Sequence, residues 1–193
     1  MTTTHLLYLH GFRSSPQSAK ARLMAQHMAA LQPGVVWHCP QLPPSPREAM
    51  AALTRATQDW PAHSMAVVGS SLGGFYATRV AEQRGCRAVL LNPAVNPARD
   101  LEKYIGEQTQ FHAPEEHFYF KPEYVQELRD LACGDLRQPQ NYLAVIAQGD
   151  EVLDWREMHS RYQNAKVLLL EGGDHALSDF ADHLPAVMAH LGY

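Results

Sequence analysis

The segment GSSLG at residues 69–73 fits the pattern Gly-x-Ser-x-Gly. In this pattern the central serine lies at the apex of a sharp turn between a strand and a helix, and crowding there requires small residues two positions before and after it. Centring the pattern on Ser71 puts glycine at both positions, whereas centring it on Ser70 puts Val68 and Leu72 there. We therefore predict that Ser71 is a nucleophile; the alternative is a glycine-rich turn with a surface serine.

A serine hydroxyl is a weak nucleophile near neutral pH and needs an adjacent base. The chain has 11 histidines, so most of them must have other roles. His175 lies in the glycine-rich segment EGGDHALSDF, directly after the apolar run KVLLL. His183 and His190 fall on the final predicted helix, where we expect them to be solvated or packed. We predict that His175 is the base.

The base needs a carboxylate that holds its tautomer and stabilises the imidazolium. In the segment AQGDEVLDW, Asp150 comes immediately after an apolar run, and Asp154 follows four residues later. Asp154 is also the predicted N-cap of the next helix, so it is the second candidate. Glu151 is expected to point in a different direction from Asp150, and Asp174 is interpreted as a turn residue. We predict that Asp150 orients the base.

The segment LHGFRSS follows the first apolar run and is predicted to complete the site. Acyl transfer needs hydrogen-bond donors for the developing oxyanion. We predict that the backbone N–H groups of Phe12 and Leu72 are these donors, the second because it opens a helix and has no partner there. His10, Gly11 and Asn92 are predicted to border the substrate, with His10 also shaping the loop through hydrogen bonds.

Six short apolar runs must supply the strands that position these residues. None alternates with polar residues, which is typical of strands buried on both faces. The runs are residues 6–9, 35–37, 65–69, 88–92, 142–147 and 166–170. Helical patterns separate them, so the sequence predicts an α/β fold with about six parallel strands flanked by helices. Side chains after the strands then meet at one edge of the sheet.

Local signals place the ends of several predicted helices. Residues 15–31 have alanine, leucine and methionine at helical spacing, and Ser45 followed by Pro46 is a typical helix start. Gly85 is a predicted C-cap. Pro185, in the last helical pattern, predicts a break or a restart.

Residues 92–141 interrupt the alternation, with no strong strand pattern over about fifty residues. A segment this long without a role is uncommon in a compact domain. We interpret it as a partly helical insertion over the carboxyl edge of the sheet, forming a lid. Its aromatic residues either line an acyl pocket or pack the insertion onto the sheet; they are Tyr104, Phe111, Phe118, Tyr119 and Phe120.

Composition excludes several other classes of protein. The 193 residues are 46% hydrophobic, which fits a single domain over residues 1–193. The net charge is −4 and no basic run occurs, so we expect no nucleic-acid partner. No apolar run is long enough for a membrane span or a signal peptide, and we expect a cytoplasmic protein. Three widely spaced cysteines, Cys39, Cys86 and Cys133, are expected to be reduced thiols.

Longer stretches resemble a known family. LLYLHGFRSSPQSAKA, VVGSSLGGFYA, LLNPAVNP, GDEVLD and EGGDHAL spread over nearly the whole chain and are similar to the small YqiA-like esterases of the α/β-hydrolase superfamily. The resemblance implies a reduced hydrolase core that lacks the first two strands of the full fold. It also implies activity on acyl esters, with acyl-CoA thioesters as a further class, and supports the roles of Ser71, Asp150 and His175.

The residues and the resemblance together predict a serine esterase that acts through a covalent acyl-enzyme on a small-molecule ester or thioester. No metal and no cofactor is required. A hydrolase fold that has lost catalysis and serves as a binding protein is the alternative. A third reading, a metal hydrolase, uses the tail GGDHALSDFADH, where His175, Asp179 and His183 are spaced four apart. Oligomeric state is not predicted.

Overall fold

The computed structural model describes residues 2–32 and 34–193. Its strands are β1 (His5–Leu9), β2 (Val36–His38), β3 (Met65–Ser70), β4 (Arg87–Leu91), β5 (Gly106–Thr109), β6 (His117–Phe120), β7 (Tyr142–Ala147) and β8 (Lys166–Leu170). Six of them form one parallel sheet in the order β2-β1-β3-β4-β7-β8. Every residue of β3 and of β7 is buried, as expected of strands covered on both faces. The predicted α/β fold is confirmed.

Helices cover both faces of this sheet. They are α1 (Ala19–Leu31), α2 (Pro46–Thr57), α3 (Leu72–Arg84), α4 (Pro97–Leu101), α5 (Pro122–Leu131), α6 (Trp155–Tyr162) and α7 (Phe180–Leu191). Side chains of successive strand residues point to opposite faces, so Leu7 packs with α2, α3, α5 and α6, whereas Leu6 packs with α1 and α7. Two apolar cores result, and together they fix the positions of the strand ends. Among the described residues, no helix is long and apolar enough to cross a membrane.

The capping residues act largely as their types predict. Ser45 is the N-cap of α2, and its hydroxyl accepts a hydrogen bond from the Glu48 N–H at 3.2 Å. Gly85 ends α3 with a φ of +66°, in the left-handed region that favours glycine. The predicted start of α1 at residue 15 is too early, because residues 15–18 form a turn in which the Ser18 N–H donates to the Ser15 carbonyl.

The predicted break at Pro185 is wrong. Pro185 lies inside α7, which is continuous from Phe180 to Leu191. The proline removes one backbone donor, but its position is exposed, so water can hydrate the carbonyl that loses its partner. Burial of the opposite face of the helix, including Leu184 and Val187, holds the two halves in one line.

The insertion at residues 92–141 contains the expected helices, α4 and α5, and also a hairpin that its pattern did not predict. Strands β5 and β6 pair antiparallel and form a separate two-stranded sheet. Arg13 anchors this hairpin: its Nε donates to the Thr109 carbonyl at 2.7 Å, and its own carbonyl accepts from the Phe111 N–H at 2.8 Å. The hairpin therefore lies against the loop after β1, at the carboxyl edge of the main sheet. Movement of the insertion as a lid stays a prediction.

Candidate active site

Ser71 lies in the sharp turn that joins β3 to α3. Its backbone has φ 55° and ψ −121°, a conformation that residues with a side chain rarely adopt. Hydrogen bonds hold it there, since the Ser71 N–H donates to the Leu91 carbonyl and the Ser71 carbonyl accepts from the Ala94 N–H, both at 3.0 Å. The turn projects this serine, and not Ser70, towards the carboxyl edge of the sheet.

The two glycines that flank this turn are required by close packing. A Cβ atom on Gly69 would overlap the Gly73 carbonyl, and one on Gly73 would overlap the Leu9 carbonyl oxygen and lie 2.6 Å from the His10 carbonyl oxygen. The first turn of α3 thus packs directly onto the end of β1. This contact explains why the residues two before and two after Ser71 must be small.

The structure brings Ser71, His175 and Asp150 together. His175 Nε2 lies 3.1 Å from Ser71 Oγ, and His175 Nδ1 lies 2.8 Å from Asp150 Oδ2. The Asp150 side chain is fully buried, whereas the His175 side chain is 21% exposed. A proton on Nδ1, donated to the carboxylate, leaves Nε2 as an acceptor for the serine hydroxyl. This arrangement can take a proton from Ser71.

Backbone donors fix the orientation of the Asp150 carboxylate. Its Oδ1 accepts from the N–H groups of Val152 and Leu153, both at 2.8 Å, which leaves Oδ2 for His175. Asp154, the second candidate, is instead the N-cap of α6 and accepts from the Arg156 N–H at 2.9 Å. Asp150 is therefore the carboxylate that contacts His175.

Glu151 has a contact that its sequence position did not reveal. Its Oε2 accepts a hydrogen bond from the backbone N–H of His175 at 3.0 Å. The carboxylates of Asp150 and Glu151 thus hold the side chain and the backbone of the same histidine. The sequence shows only that two acidic residues are adjacent after β7, and this adjacency does not indicate where the Glu151 side chain points.

Asn92 requires a correction. We predicted that it borders the substrate, but its side chain is fully buried. Its Oδ1 accepts from the Ala147 N–H at 2.8 Å, and its Nδ2 donates to the carbonyls of Asp174 and His175 at 2.9 and 3.2 Å. All of its polar atoms are engaged with backbone groups, so Asn92 supports the loop that carries His175 and does not face the cleft.

The loop after β1 approaches Ser71 closely. A Cβ atom on Gly11 would lie 3.3 Å from Ser71 Cβ. Among the described residues, neither the Phe12 N–H nor the Leu72 N–H donates a hydrogen bond within the protein, and both residues line the cleft at Ser71. Leu72 is also the first residue of α3, where the helix dipole favours negative charge. These two amides are available to an oxyanion, and that role stays a proposal.

His10 is a buried residue with both ring nitrogens in use. Nδ1 donates to the Gly11 carbonyl at 3.0 Å, and Nε2 accepts from the Leu42 N–H at 3.2 Å. The neutral tautomer satisfies both contacts, and burial lowers the pKa of this imidazole, which favours the same neutral form. Since no ring nitrogen is left for a ligand, His10 shapes the loop, and the prediction that it binds substrate is not supported by its contacts.

An apolar pocket of about 210 Å³ opens beside Ser71 and His175. Its apolar lining includes Phe12, Leu101, Tyr104, Phe111 and Leu153, from the β1 loop, the insertion and the loop after β7. The charged residues Arg13, Asp100 and Lys103 also line it. The aromatic residues of the insertion have both of the predicted roles. Tyr104 and Phe111 line this pocket.

The other three aromatic residues of the insertion have different surroundings. Phe118 and Phe120 pack edge-on against the Phe12 ring, with centroids 5.9 and 5.3 Å away. Tyr119 is 57% exposed. Tyr104 and Phe111 also contact the β1 loop, since the Tyr104 ring centroid lies 5.6 Å from that of Phe12 and the Arg13 guanidinium lies 4.5 Å from the centre of the Phe111 ring. These two residues therefore combine both predicted roles.

The acidic and histidine-rich tail does not gather into a metal site. Within residues 2–32 and 34–193, no three side chains of histidine, cysteine, aspartate or glutamate are close enough to share an ion. His183 Nε2 instead lies 3.0 Å from Asp179 Oδ2, one helical turn away.

Comparison with known proteins gives the same fold. A UPF0227 protein of Serratia proteamaculans (strain 568) is 27% identical over 194 residues, covering 95% of this chain and 97% of the relative. A putative hydrolase of Agrobacterium vitis S4 superposes with a TM-score of 0.78 at 18% identity, covering 99% of this chain and 91% of that one. Est1E of Butyrivibrio proteoclasticus, solved with ferulic acid, superposes with a TM-score of 0.66 at 13% identity, covering 98% and 87%. Residues 5–192 match the family described as "Uncharacterised protein family (UPF0227)", and the chain belongs to that family.

Proposed function

We propose that the protein is a serine hydrolase that cleaves carboxylic esters through a covalent acyl-enzyme. One observation carries this proposal: Ser71 Oγ, held in a strained turn, lies 3.1 Å from His175 Nε2, and His175 Nδ1 lies 2.8 Å from the buried Asp150 carboxylate. Strain of this kind persists only where the surrounding structure maintains it, and it concentrates at active sites.

In the first half of the reaction, Ser71 Oγ bonds to the ester carbonyl carbon while its proton moves to His175 Nε2. Asp150 stabilises the resulting imidazolium, and the N–H groups of Phe12 and Leu72 donate to the oxyanion. When the tetrahedral intermediate collapses, the bond to the alcohol breaks and His175 returns the proton to the departing oxygen. The acyl group is then bonded to Ser71.

In the second half, water takes the place of the alcohol. His175 Nε2 accepts a proton from the water as its oxygen bonds to the acyl carbon, and the same amides receive the oxyanion. Collapse breaks the bond to Ser71 Oγ, which regains a proton from His175, and the carboxylic acid leaves. These steps use only side chains and amides of this chain.

The apolar pocket beside Ser71 supports an acyl group as the portion bound there. Its lining by Phe12, Leu101 and Tyr104 gives the apolar surface that commonly holds acyl chains. Acyl-CoA thioesters are the second candidate substrate class, because a thioester gives the same acyl-enzyme. Est1E, which has a similar fold, binds ferulic acid, and this ligand is a carboxylic acid, the class of product that ester hydrolysis releases.

A fluorophosphonate probe followed by intact-mass analysis tests the proposal. We expect one adduct on the wild-type protein and on Ser70→Ala, and none on Ser71→Ala. Hydrolysis of p-nitrophenyl butyrate should fall by about 10⁴-fold or more in Ser71→Ala, because the three residues act as a unit. An adduct that survives Ser71→Ala contradicts the proposal. A folded wild-type protein that neither reacts with the probe nor hydrolyses any short ester or acyl-CoA favours the alternative, a catalytically silent binding protein.

A further inference from the structure

A second pocket adjoins Ser71 and His175, distinct from the apolar pocket already described. It has a volume of about 200 Å³ and shares Phe12 and Phe111 with its neighbour. Its lining also includes residues with polar side chains from β1, the loop after β1 and the start of α1, namely Tyr8, Ser14, Ser18 and Lys20. The mechanism proposed above uses none of these four residues.

Lys20 gives this pocket a positive charge. It lies in the first turn of α1, is partly buried, and donates one hydrogen bond from Nζ to the Ala176 carbonyl. None of the ion pairs formed by the described residues includes it. Burial lowers the pKa of Lys20 to about 8, against the opposing effect of the Asp174 and Asp150 carboxylates, so the ammonium is mainly charged at pH 7. Two of its three donors remain available.

Tyr8 also lines this pocket, and its hydroxyl is a buried donor without a partner among the described residues. Its side chain is fully buried at the carboxyl half of β1. Buried polar groups are nearly always paired, so an orphaned hydroxyl beside an open pocket needs an explanation. Burial also raises the pKa of this phenol, which keeps it protonated and able to donate.

We propose that this pocket binds an anionic group of the substrate, a carboxylate or a phosphate, through the Lys20 ammonium and the Tyr8 hydroxyl. The inference rests on the proposed ester hydrolysis at Ser71 and specifies its substrate class. A substrate that fills both pockets has an apolar portion against Phe12, Leu101 and Tyr104 and an anionic portion against Lys20, with the scissile ester between them at Ser71. A cation outside any ion pair lines this pocket, and a buried donor without a partner belongs to a residue of the same lining; both fit acceptor oxygens that carry negative charge.

Matched esters test this assignment. Phenyl acetate is the neutral reference, 3-acetoxybenzoate and 3-acetoxyphenyl phosphate carry the charge on the leaving alcohol, and the phenyl monoester of glutaric acid carries it on the acyl portion. The measured quantity is the ratio of kcat/KM for each anionic ester to kcat/KM for phenyl acetate. We expect Lys20→Met to lower this ratio by about tenfold and Tyr8→Phe to lower it by about threefold for at least one anionic ester.

Control variants separate a binding role from other effects. Lys20→Arg keeps the charge and should retain most of the preference. Lys121→Met makes the same change in net charge at a residue that lines neither pocket and should leave the ratio unaltered. The ester whose ratio falls most identifies the anion and the side of the ester that carries it. A Lys20→Met ratio equal to the wild-type ratio for every ester overturns the proposal. So does an equal loss on neutral and anionic esters, since Lys20 then acts only by holding the Ala176 carbonyl beside His175.

A binding measurement keeps this inference separate from the proposed function. Inorganic phosphate should raise the Tm of the wild-type protein and of Ser71→Ala, and should have a much smaller effect on Lys20→Met. If the wild-type protein hydrolyses no ester, the proposed function fails, and this phosphate effect still decides whether the pocket binds anions. A phosphate effect of equal size in Lys20→Met overturns the pocket assignment even if ester hydrolysis is established.

Discussion

Replacement of Asn92 by alanine tests how the loop that carries His175 is held. The substitution removes one acceptor and two donors, which contact the Ala147 N–H and the carbonyls of Asp174 and His175. The Ala147 amide is buried and would be left without a partner, whereas the two carbonyls lie on a loop that water can reach. Asn92 also has a φ of 41°, a left-handed conformation that asparagine tolerates better than alanine.

The stability cost follows from these contacts. An unsatisfied buried amide costs about 1–3 kcal/mol, and the left-handed backbone adds about 1 kcal/mol for alanine. We therefore expect Asn92→Ala to lower the free energy of unfolding by about 2–4 kcal/mol, measured by urea unfolding with the m-value compared between variants.

Activity separates the two roles that have been considered for Asn92. As a support for the His175 loop, it should affect kcat for p-nitrophenyl butyrate, by about tenfold or more, because displacement of a catalytic group by a fraction of an ångström slows proton transfer. As a substrate contact it would mainly raise KM. Asn164→Ala, at an exposed position, is the matched control and should change neither quantity. A stability loss under 0.5 kcal/mol, or a higher KM with kcat unaltered, would refute the reasoning.

Three further predictions use the same assays. Gly69→Ala places a Cβ atom against the Gly73 carbonyl and 2.7 Å from Ala77 Cβ. We therefore expect the free energy of unfolding in urea to fall by at least about 3 kcal/mol and activity to be lost. Wild-type stability of this variant would show that the turn can shift freely. Pro185→Ala restores a helical donor at an exposed position and should raise the stability by about 1–2 kcal/mol after the greater entropy of the unfolded chain is subtracted; a lower Tm would mean that the proline stabilises α7. Glu151→Ala removes the acceptor for the His175 N–H and should lower kcat about fivefold. Glu151→Gln keeps an acceptor oxygen and should retain most of the activity. If the two substitutions lower kcat equally, this hydrogen bond is not the cause.

The parts of the fold that could be predicted from the sequence are those fixed by local patterns. The apolar runs gave the six strands of the main sheet, and two of them, β7 and β8, match the predicted bounds. The requirement for small residues two positions before and two positions after the serine also selected Ser71 over Ser70, because only Ser71 has glycine, Gly69 and Gly73, at both positions. Each of these inferences needs only residues that are close in sequence.

The roles of Asn92 and Glu151 could not be predicted, because they depend on which loops are neighbours in space. Asn92 follows β4, but its partners are the last residue of β7 and two residues of the loop after β8, 55 to 83 residues later. The β5–β6 hairpin is a similar case: its strands are four residues each, and a contact with Arg13, 96 residues from Thr109, helps to hold it. Strands of only four residues have a weak local signal, and their stability comes from docking.

Hydrogen bonds that continue the sheet beyond its strands explain why the site can hold strained turns. Ser71, the first residue after β3, donates to the Leu91 carbonyl of β4, and Asn92, the first residue after β4, donates to the Val145 carbonyl of β7. Both residues have positive φ, yet each backbone N–H remains in the ladder of the parallel sheet. To relax either turn, the whole sheet would have to distort. The strained backbone conformations of Ser71 and Asn92 are therefore maintained by the sheet and its packed core, and not by local contacts alone.

The same ladder extends past β7, where the Gln148 N–H donates to the Leu170 carbonyl and the Gly149 N–H to the Gly172 carbonyl. The loops with Ser71, Asp150 and His175 are therefore extensions of one rigid sheet. Parts of the pocket walls have a different origin: the hairpin that carries Phe111 and the turn that precedes Lys20 lie outside this ladder, whereas Tyr8 belongs to β1. In the proposed mechanism, substitutions in these parts of the walls change which ester fits and leave the distances among Ser71, His175 and Asp150 unchanged. The kcat/KM ratio measured for Lys20→Met then tests substrate choice, and kcat of Asn92→Ala tests the geometry of the proposed catalytic residues.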